Sequence, residues 1–390
     1  MGLKAWATTN NTVWATSNGT IVTSLVDTDN PEGLRPYTVR FKFGDPSYNP
    51  TNESWVSGSQ WVQVSSSPNV WDFTYVYSVW GGTGGGTPLF YDRFNDRSNL
   101  VDILGANLVG VTGVFRLFSN NNAIVSAANI DMSTAQNCAY MFWQCGALSS
   151  VSNINTASAT TIDSMFAGCI RLSSIPLFDT SNVENFKLAF SYCPITTAPS
   201  FNTSSAQSMF GMFNNCTSLT TVPLYDMSNV SDVSEMFHEC RSLTSIPQLD
   251  FSSVQYMSRI FDGCRSLVTV PSLDCSNVID MDEAFRGCLL LTSVPVYNTR
   301  HVTDFEYCFG GCESITSIPL LQTANVEKCT GMFGDCYNVE SGALALYQQM
   351  SSQVIPPAYH NSCFMDCGRD TVTGSSELAQ IPTSWGGTMA

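Results

Sequence analysis

The residues of this chain that could do chemistry are fifteen cysteines, three histidines and 32 acidic side chains. Thiolates act as nucleophiles or metal ligands, histidine moves protons, and paired carboxylates work as acid and base. Their spacing argues against each of these uses. Ten cysteines, Cys145, Cys169, Cys193, Cys216, Cys240, Cys264, Cys288, Cys312, Cys336 and Cys367, each follow a phenylalanine by three residues. The phenylalanines are Phe142, Phe166, Phe190, Phe213, Phe237, Phe261, Phe285, Phe309, Phe333 and, in a degenerate last copy, Phe364. Phe118 opens the series with Asn121 in the cysteine's place, and the step is 24 residues up to Phe333 with a single step of 23. A residue type locked to the phase of a repeat behaves as a core position. These phenylalanines and cysteines are therefore read as the structural core of the repeat, with the thiols reduced and buried as small hydrophobes.

The full phrase is Val-x-x-Met-x-x-Met-Phe-x-x-Cys-x-x-Leu-x-x-Ile-Pro-x-Leu-Asp. Of the remaining cysteines, Cys138 and Cys329 replace its first Met, and Cys308 and Cys363 replace its second; with Cys275 they also read as core. There is no Cys-x-x-Cys pair and no His/Cys cluster, so no metal or cofactor is expected. His238, His301 and His360 lack an accompanying serine or cysteine nucleophile motif. Asp282 and Glu283 are adjacent and would point apart on a helix. No enzyme is expected.

A 24-residue period implies a repeat solenoid, leucine-rich-repeat-like, in which each turn contacts only its neighbours. Within one turn, Val230, Val233, Met236, Phe237 and Cys240 have the spacing of one helical face, which predicts a short helix. Leu243, Ile246, Pro247 and Leu249 predict a short strand closed by proline. Stacked about 4.8 Å apart, such turns would make a parallel ladder on one face and a row of short helical turns on the other. The linking phrases, Asp179-Thr180-Ser181-Asn182-Val183, Asp226-Met227-Ser228-Asn229-Val230 and Asp274-Cys275-Ser276-Asn277-Val278, read as helix N-caps. A calcium ladder along Asp226, Asp250 and Asp274 lacks the closely spaced carboxylates that such a site needs.

Three regions follow. Residues 1–104 hold six of the eight tryptophans and no cysteine, and read as a β-rich attachment domain. Val39, Phe41 and Phe43 alternate with polar residues, as do Trp71, Phe73, Tyr75, Tyr77 and Val79. Turn chemistry at 44–47 and 67–69 separates the runs, and the glycine-rich stretch 81–88 reads as a loop. Residues 105–340 are the solenoid of about ten turns. Residues 341–390, with a helix-like run at 341–350, read as a C-terminal cap, because an open solenoid end exposes its core.

The net charge of -16 opposes nucleic-acid binding. No stretch reaches the length of a membrane span, and the first residues lack the apolar core of a secretory signal. Outward positions carry acidic residues on the helix-like side, among them Asp232, Glu239 and Glu306. Hydroxyl rows occupy the strand side. The candidate binding surface is Arg241 and Arg265, which share a phase, with Thr244, Ser245, Thr269, Thr292 and Ser293.

The phrases running from Met236 to Pro247 and from Leu177 to Val183 resemble the BspA-type leucine-rich repeat, a family that includes lipoprotein-associated repeats of Mycoplasma surface proteins. That resemblance implies a binding module. The blocks Arg40-Phe41-Lys42-Phe43-Gly44-Asp45-Pro46 and Pro68-Asn69-Val70-Trp71-Asp72-Phe73, and the tail from Ser341 to Gln349, resemble segments flanking such repeats in proteins of phages that infect Bacteroidales. It implies a virion protein assembled in the host cytoplasm, tail-associated or receptor-binding. The N-terminal domain would contact other virion proteins, and the solenoid a host surface protein or glycan. A capsid decoration or head fibre, or a bacterial cell-surface adhesin, uses the same parts, and a homo-oligomer stays open.

Overall fold

The computed structural model describes residues 100–294 and 297–388 and, before residue 100, five strands. The expected turns at 44–47 and 67–69, the loop at 81–88, and Tyr77 and Val79 lie outside the described residues. The chain forms two compact units, Met1–Ala159 and Thr160–Ala390.

In the first unit, β1 (Lys4–Ala7) pairs antiparallel with β2 (Val13–Thr16). A six-stranded sheet is built from β3 (Pro36–Phe43), β4 (Ser59–Gln63), β5 (Val70–Val76), β6 (Leu100–Asn107), β7 (Ser126–Asp131) and β8 (Ser150–Asn155). Its order is β4-β5-β3-β6-β7-β8. The alternating runs pair in register, Val39 opposite Phe73 and Phe41 opposite Trp71. β3 also pairs antiparallel with β6, which spans residue 104, and Lys42 on β3 lies 3.2 Å from Asp102 on β6. From β6 onward the pairing is parallel with a 24-residue step: Ile103 partners Ala127, and Ala127 partners Val151. The repeat solenoid therefore begins as a small parallel sheet.

Among the described residues of the second unit the expected strand is absent. The phrase places proline ten residues after the phenylalanine at Pro176, Pro223, Pro247, Pro271 and Pro319, whereas the first unit has Ala128 and Ser152 there. Proline has no N–H to donate, so the ladder that β7 and β8 make through this position cannot continue regularly. Scattered bonds survive, such as Val268 N–H to the Thr244 carbonyl at 3.1 Å.

The expected short helix is also absent from the described repeats, and its segment supplies the parallel ladder instead. Bridges join Ser208 to Asp232, Asp232 to Tyr256, Tyr256 to Asp280 and Asp280 to Asp304, all parallel. Along one turn, Val233, Glu235, Phe237 and Glu239 donate their N–H groups to Tyr256, Ser258, Ile260 and Asp262 of the next. The residues between them, Met236, His238 and Cys240, donate to carbonyls three residues back in their own turn. The segment is a run of tight turns, because two positions per repeat are left-handed. Two residues before each phenylalanine, φ is positive at Arg116, Ser164, Glu235, Arg259 and Tyr307, among others, and two residues after it at Asn215, Glu239, Gly263, Gly287 and Gly311. A residue with φ near +55° ends a right-handed helix, and here it aims the next N–H at the neighbouring turn.

The predicted caps take another form. Asp179, Asp226, Asp250 and Asp274 each accept the N–H of the serine two residues on, as Asx turns that open these bends, not helices.

The core follows the predicted phase. Each phenylalanine and cysteine of the two columns is buried. The rings stack at 5.5 Å for Phe118 and Phe142 in the first unit, and at 5.0–6.3 Å from Phe166 to Phe364 in the second. All fifteen thiols are free and buried. They also bond, which a purely hydrophobic reading misses: Cys145 and Cys193 through Cys336 donate Sγ–H to the carbonyl of the phenylalanine one turn back, at 3.1–3.3 Å. In the first turn, Asn121 donates its amide to Phe118 O at 2.8 Å.

After the last regular turn, α1 (Ala343–Ser351) buries Ala343, Leu346 and Met350. The side chains of Gln349 and Gln353 donate to the carbonyls of Leu321 and Thr323. Next come α2 (Val372–Leu378) and a single 3-10 turn that ends on the buried Trp385, whose carbonyl accepts from Phe364.

Candidate binding surface

Because the backbone repeats and the core columns are constant in type, what differs from turn to turn is the set of outward side chains. All seven residues of the candidate surface are exposed. Arg241 and Arg265 stand four residues after their phenylalanines. Thr244 and Thr292 stand seven after theirs, with Val268 between them, and Ser245, Thr269 and Ser293 eight after. The threonines lie on a backbone ladder, and Thr292 turns its hydroxyl back to Val268 O at 3.4 Å.

A shallow groove of about 550 Å³ is lined by Arg265 with His238, Glu239, Asp262, Gly263, Arg286, Gly287 and Leu289. None of the five hydroxyl residues lines it, nor does Arg241, which pairs with Glu239 in its own turn. The arginines and the hydroxyl rows therefore do not form one site. The cationic spot is also weaker than its sequence suggests, because Arg241 is neutralised within its own turn.

Charged side chains of adjacent turns pair with one another, in the groove and beyond it. His238 Nδ1 lies 3.1 Å from Asp262 Oδ2. The Asp262 carboxylate, with Glu235 and Glu239 nearby, raises the imidazole above its ordinary value of 6.5 despite partial burial. Glu283 accepts from Arg259 at 3.1 Å and Arg286 at 2.8 Å. Asp282 is pushed up to about 6, first by desolvation and then by Glu283, Asp304 and Asp280. Lys328 bonds Asp304 at 2.8 Å. His301 is exposed, and His360 stacks on Trp385 with ring centroids 4.2 Å apart.

The thiols stay inert in this setting. Burial pushes Cys145 and Cys336 up to about 12, and it raises Cys240 and Cys288 well above the ordinary thiol. A nucleophile needs thiolate and access, and these have neither. Among the described residues no group of three His, Cys, Asp or Glu side chains is arranged to hold a metal ion.

Three overlapping stretches, 109–221, 173–272 and 255–352, match the family described as Mycoplasma protein of unknown function, DUF285, and together they take in more than half of the chain. The chain belongs to the DUF285 family. The DUF285 stretches contain the phenylalanine and cysteine columns from Phe118 to Cys336 and begin within the turn that follows β6. No curated protein and no solved structure matches this DUF285 chain. No described helix of it is long and apolar enough to cross a membrane.

One feature of this surface was not read from the sequence. Glycines gather at Gly287, Gly310, Gly311, Gly331 and Gly334 and open a second depression beside Tyr307 and Tyr337. The runs Phe309-Gly310-Gly311-Cys312 and Gly331-Met332-Phe333-Gly334 carried that signal at Gly310 and Gly334, where other turns bear side chains.

Proposed function

We propose that this chain is a non-enzymatic phage virion structural protein, tail-associated or receptor-binding, whose solenoid presents a surface for host attachment. The observation that carries the reading is the division of labour within each turn. The thiols are buried, eight of them bonded to a phenylalanine carbonyl one turn back, while the outward side chains change on a repeating backbone. Such an arrangement suits recognition and leaves no thiol in reach of a substrate. The likeness of the N-terminal and C-terminal segments to those of Bacteroidales phage proteins supports the virion setting. In this reading the N-terminal strands form the all-β attachment domain, and residues 341–390 close the solenoid as a cap of the BspA-type repeat.

Antibody to this chain, imaged on intact particles by electron microscopy, tests the proposal. Label at the tail, together with binding of the purified full chain to host cells, is the expected result. Label over the capsid without cell binding would make it a decoration or head-fibre protein. A second reading, a bacterial cell-surface adhesin, draws on the family's description as a Mycoplasma protein. Recovery in the cell envelope of uninfected bacteria, with none in particles, would establish that reading instead.

A further inference from the structure

We infer that the glycine-floored trough between Tyr307 and Tyr337 is a binding site for a neutral saccharide, a deepening that rests on the host-attachment reading. The trough holds about 400 Å³, at the lower end of the range for small-molecule sites. At two of its five floor glycines a side chain is missing where conformation does not demand it. Gly310 and Gly334 are not in the left-handed region, and the same position one residue after the phenylalanine carries Asn214, His238, Asp262 and Arg286 in other turns. Gly331 has a different role. An added Cβ there would come within 2.5 Å of the Tyr307 ring, so this glycine seats the ring at the trough wall, where Tyr307 stays 44% exposed.

The chemistry of the walls selects the ligand. Every floor N–H is already bonded: Gly287 to Gly310 O, Gly310 to Tyr307 O, Gly311 to Gly334 O, Gly331 to Asn361 O and Gly334 to Gly331 O. No floor N–H remains for a phosphate, sulfate or carboxylate, Arg286 on the wall is already paired with Glu283 at 2.8 Å, and Glu313 and Asp335 repel an anion. A cationic partner is disfavoured too. Each ring already carries one of the protein's own guanidiniums, Arg286 at 5.9 Å from the Tyr307 centroid and Arg369 at 4.1 Å from that of Tyr337, which offsets its attraction for a second cation. What remains are carboxylate and carbonyl acceptors for hydroxyl donors, with tyrosines and Leu289 for C–H surfaces. The Tyr337 hydroxyl fixes Asp335 by donating to Oδ1 at 3.3 Å. A neutral sugar matches that set.

The test is a panel of neutral, sialylated and sulfated oligosaccharides and an oligolysine peptide, offered to the full chain and followed by calorimetric titration. Neutral glycans should bind. Affinity should fall by about tenfold or more in Tyr337→Ala and Glu313→Gln, with melting curves confirming the fold, and stay unchanged in Val354→Ser. Asp335→Asn keeps a residue that tolerates positive φ and should weaken binding without unfolding. Preference for charged glycans or oligolysine, no binding at all, or full affinity in folded Tyr337→Ala would overturn the assignment. Host-cell binding is read separately. If the full chain binds cells and Tyr337→Ala does so equally, the trough is excluded and host attachment stands; if the full chain binds no cells, host attachment itself fails.

Discussion

The thiol of Cys264 donates to the carbonyl oxygen of Phe237, 27 residues earlier, at 3.1 Å, and the same oxygen accepts the backbone N–H of Cys240 at 3.0 Å. Both acceptor positions of a buried carbonyl are thereby filled, one from within the turn and one from the next. Cysteine is small enough for the column and still brings a donor, which alanine and valine lack.

Cys264→Ala is expected to lower stability by about 2 kcal/mol, combining a small cavity with a weakened acceptor, and Cys264→Val by about 1 kcal/mol despite its retained volume. Urea melts give both values. The S–H stretch of the wild-type protein should sit at the frequency of a bonded thiol, and a free-thiol frequency for most of the fifteen would contradict the pairing.

Phe261 stacks on Phe237 at 5.7 Å and on Phe285 at 5.4 Å. Phe261→Ala should cost about 3–5 kcal/mol, while Thr269→Ala, on the exposed row, should stay within about 0.5 kcal/mol. Similar losses in the two melts would mean that the inward and outward phases are wrongly assigned.

Phase, period and core were legible because burial repeats with the backbone. The five residues Val230, Val233, Met236, Phe237 and Cys240 are all buried, as a helical face would have them. Their periodicity could not tell a helix from successive tight turns that bury the same positions. The deciding signal was local: glycine or asparagine just before the cysteine, at Gly168, Asn215, Gly263, Gly287 and Gly311, marks a left-handed residue that no helix interior accepts. Glutamates at 235 and 239 hide it in the turn chosen for the reading. The strand was over-read for the opposite reason, since proline at the same phase in successive turns removes a ladder donor from each. The trough went unseen because it is made of residues without side chains.

Tyr192 tests the corrected geometry. Its φ is +62° and its side chain is 55% exposed. In a helix, Tyr192→Gly would lose about 0.5 kcal/mol of propensity; in the left-handed turn it should be neutral or stabilising by up to about 1 kcal/mol. Chemical denaturation of this one variant decides between them.

The pH dependence should favour mild acid. His238 and Asp282 both hold their protons more tightly in the folded protein. Their contributions are complete below the unfolded values of 6.5 and 3.8, and are lost as pH rises through the raised folded value of His238 and through about 6 for Asp282. Asp179, Asp226 and Asp250 are lowered by bonds from Ser181, Ser228 and Ser252, so their contribution is present above 3.8 and lost as pH falls through the depressed folded values. Denaturant midpoints should therefore rise as pH drops from 8 toward 5 and fall again in stronger acid. Asp282→Asn should change the profile between about pH 4 and 6, removing the part of the rise on acidification that falls there, and an unchanged slope in that window would remove Asp282 from the account.

The central claim is that the residues able to do chemistry are structural, which leaves recognition as the work of the surface. Native alkylation read by mass spectrometry tests it most directly. All fifteen thiols should stay unmodified in the folded protein, and all should react in denaturant without prior reduction. Rapid labelling of the column cysteines under native conditions, or disulfides surviving into the denatured sample, would contradict it.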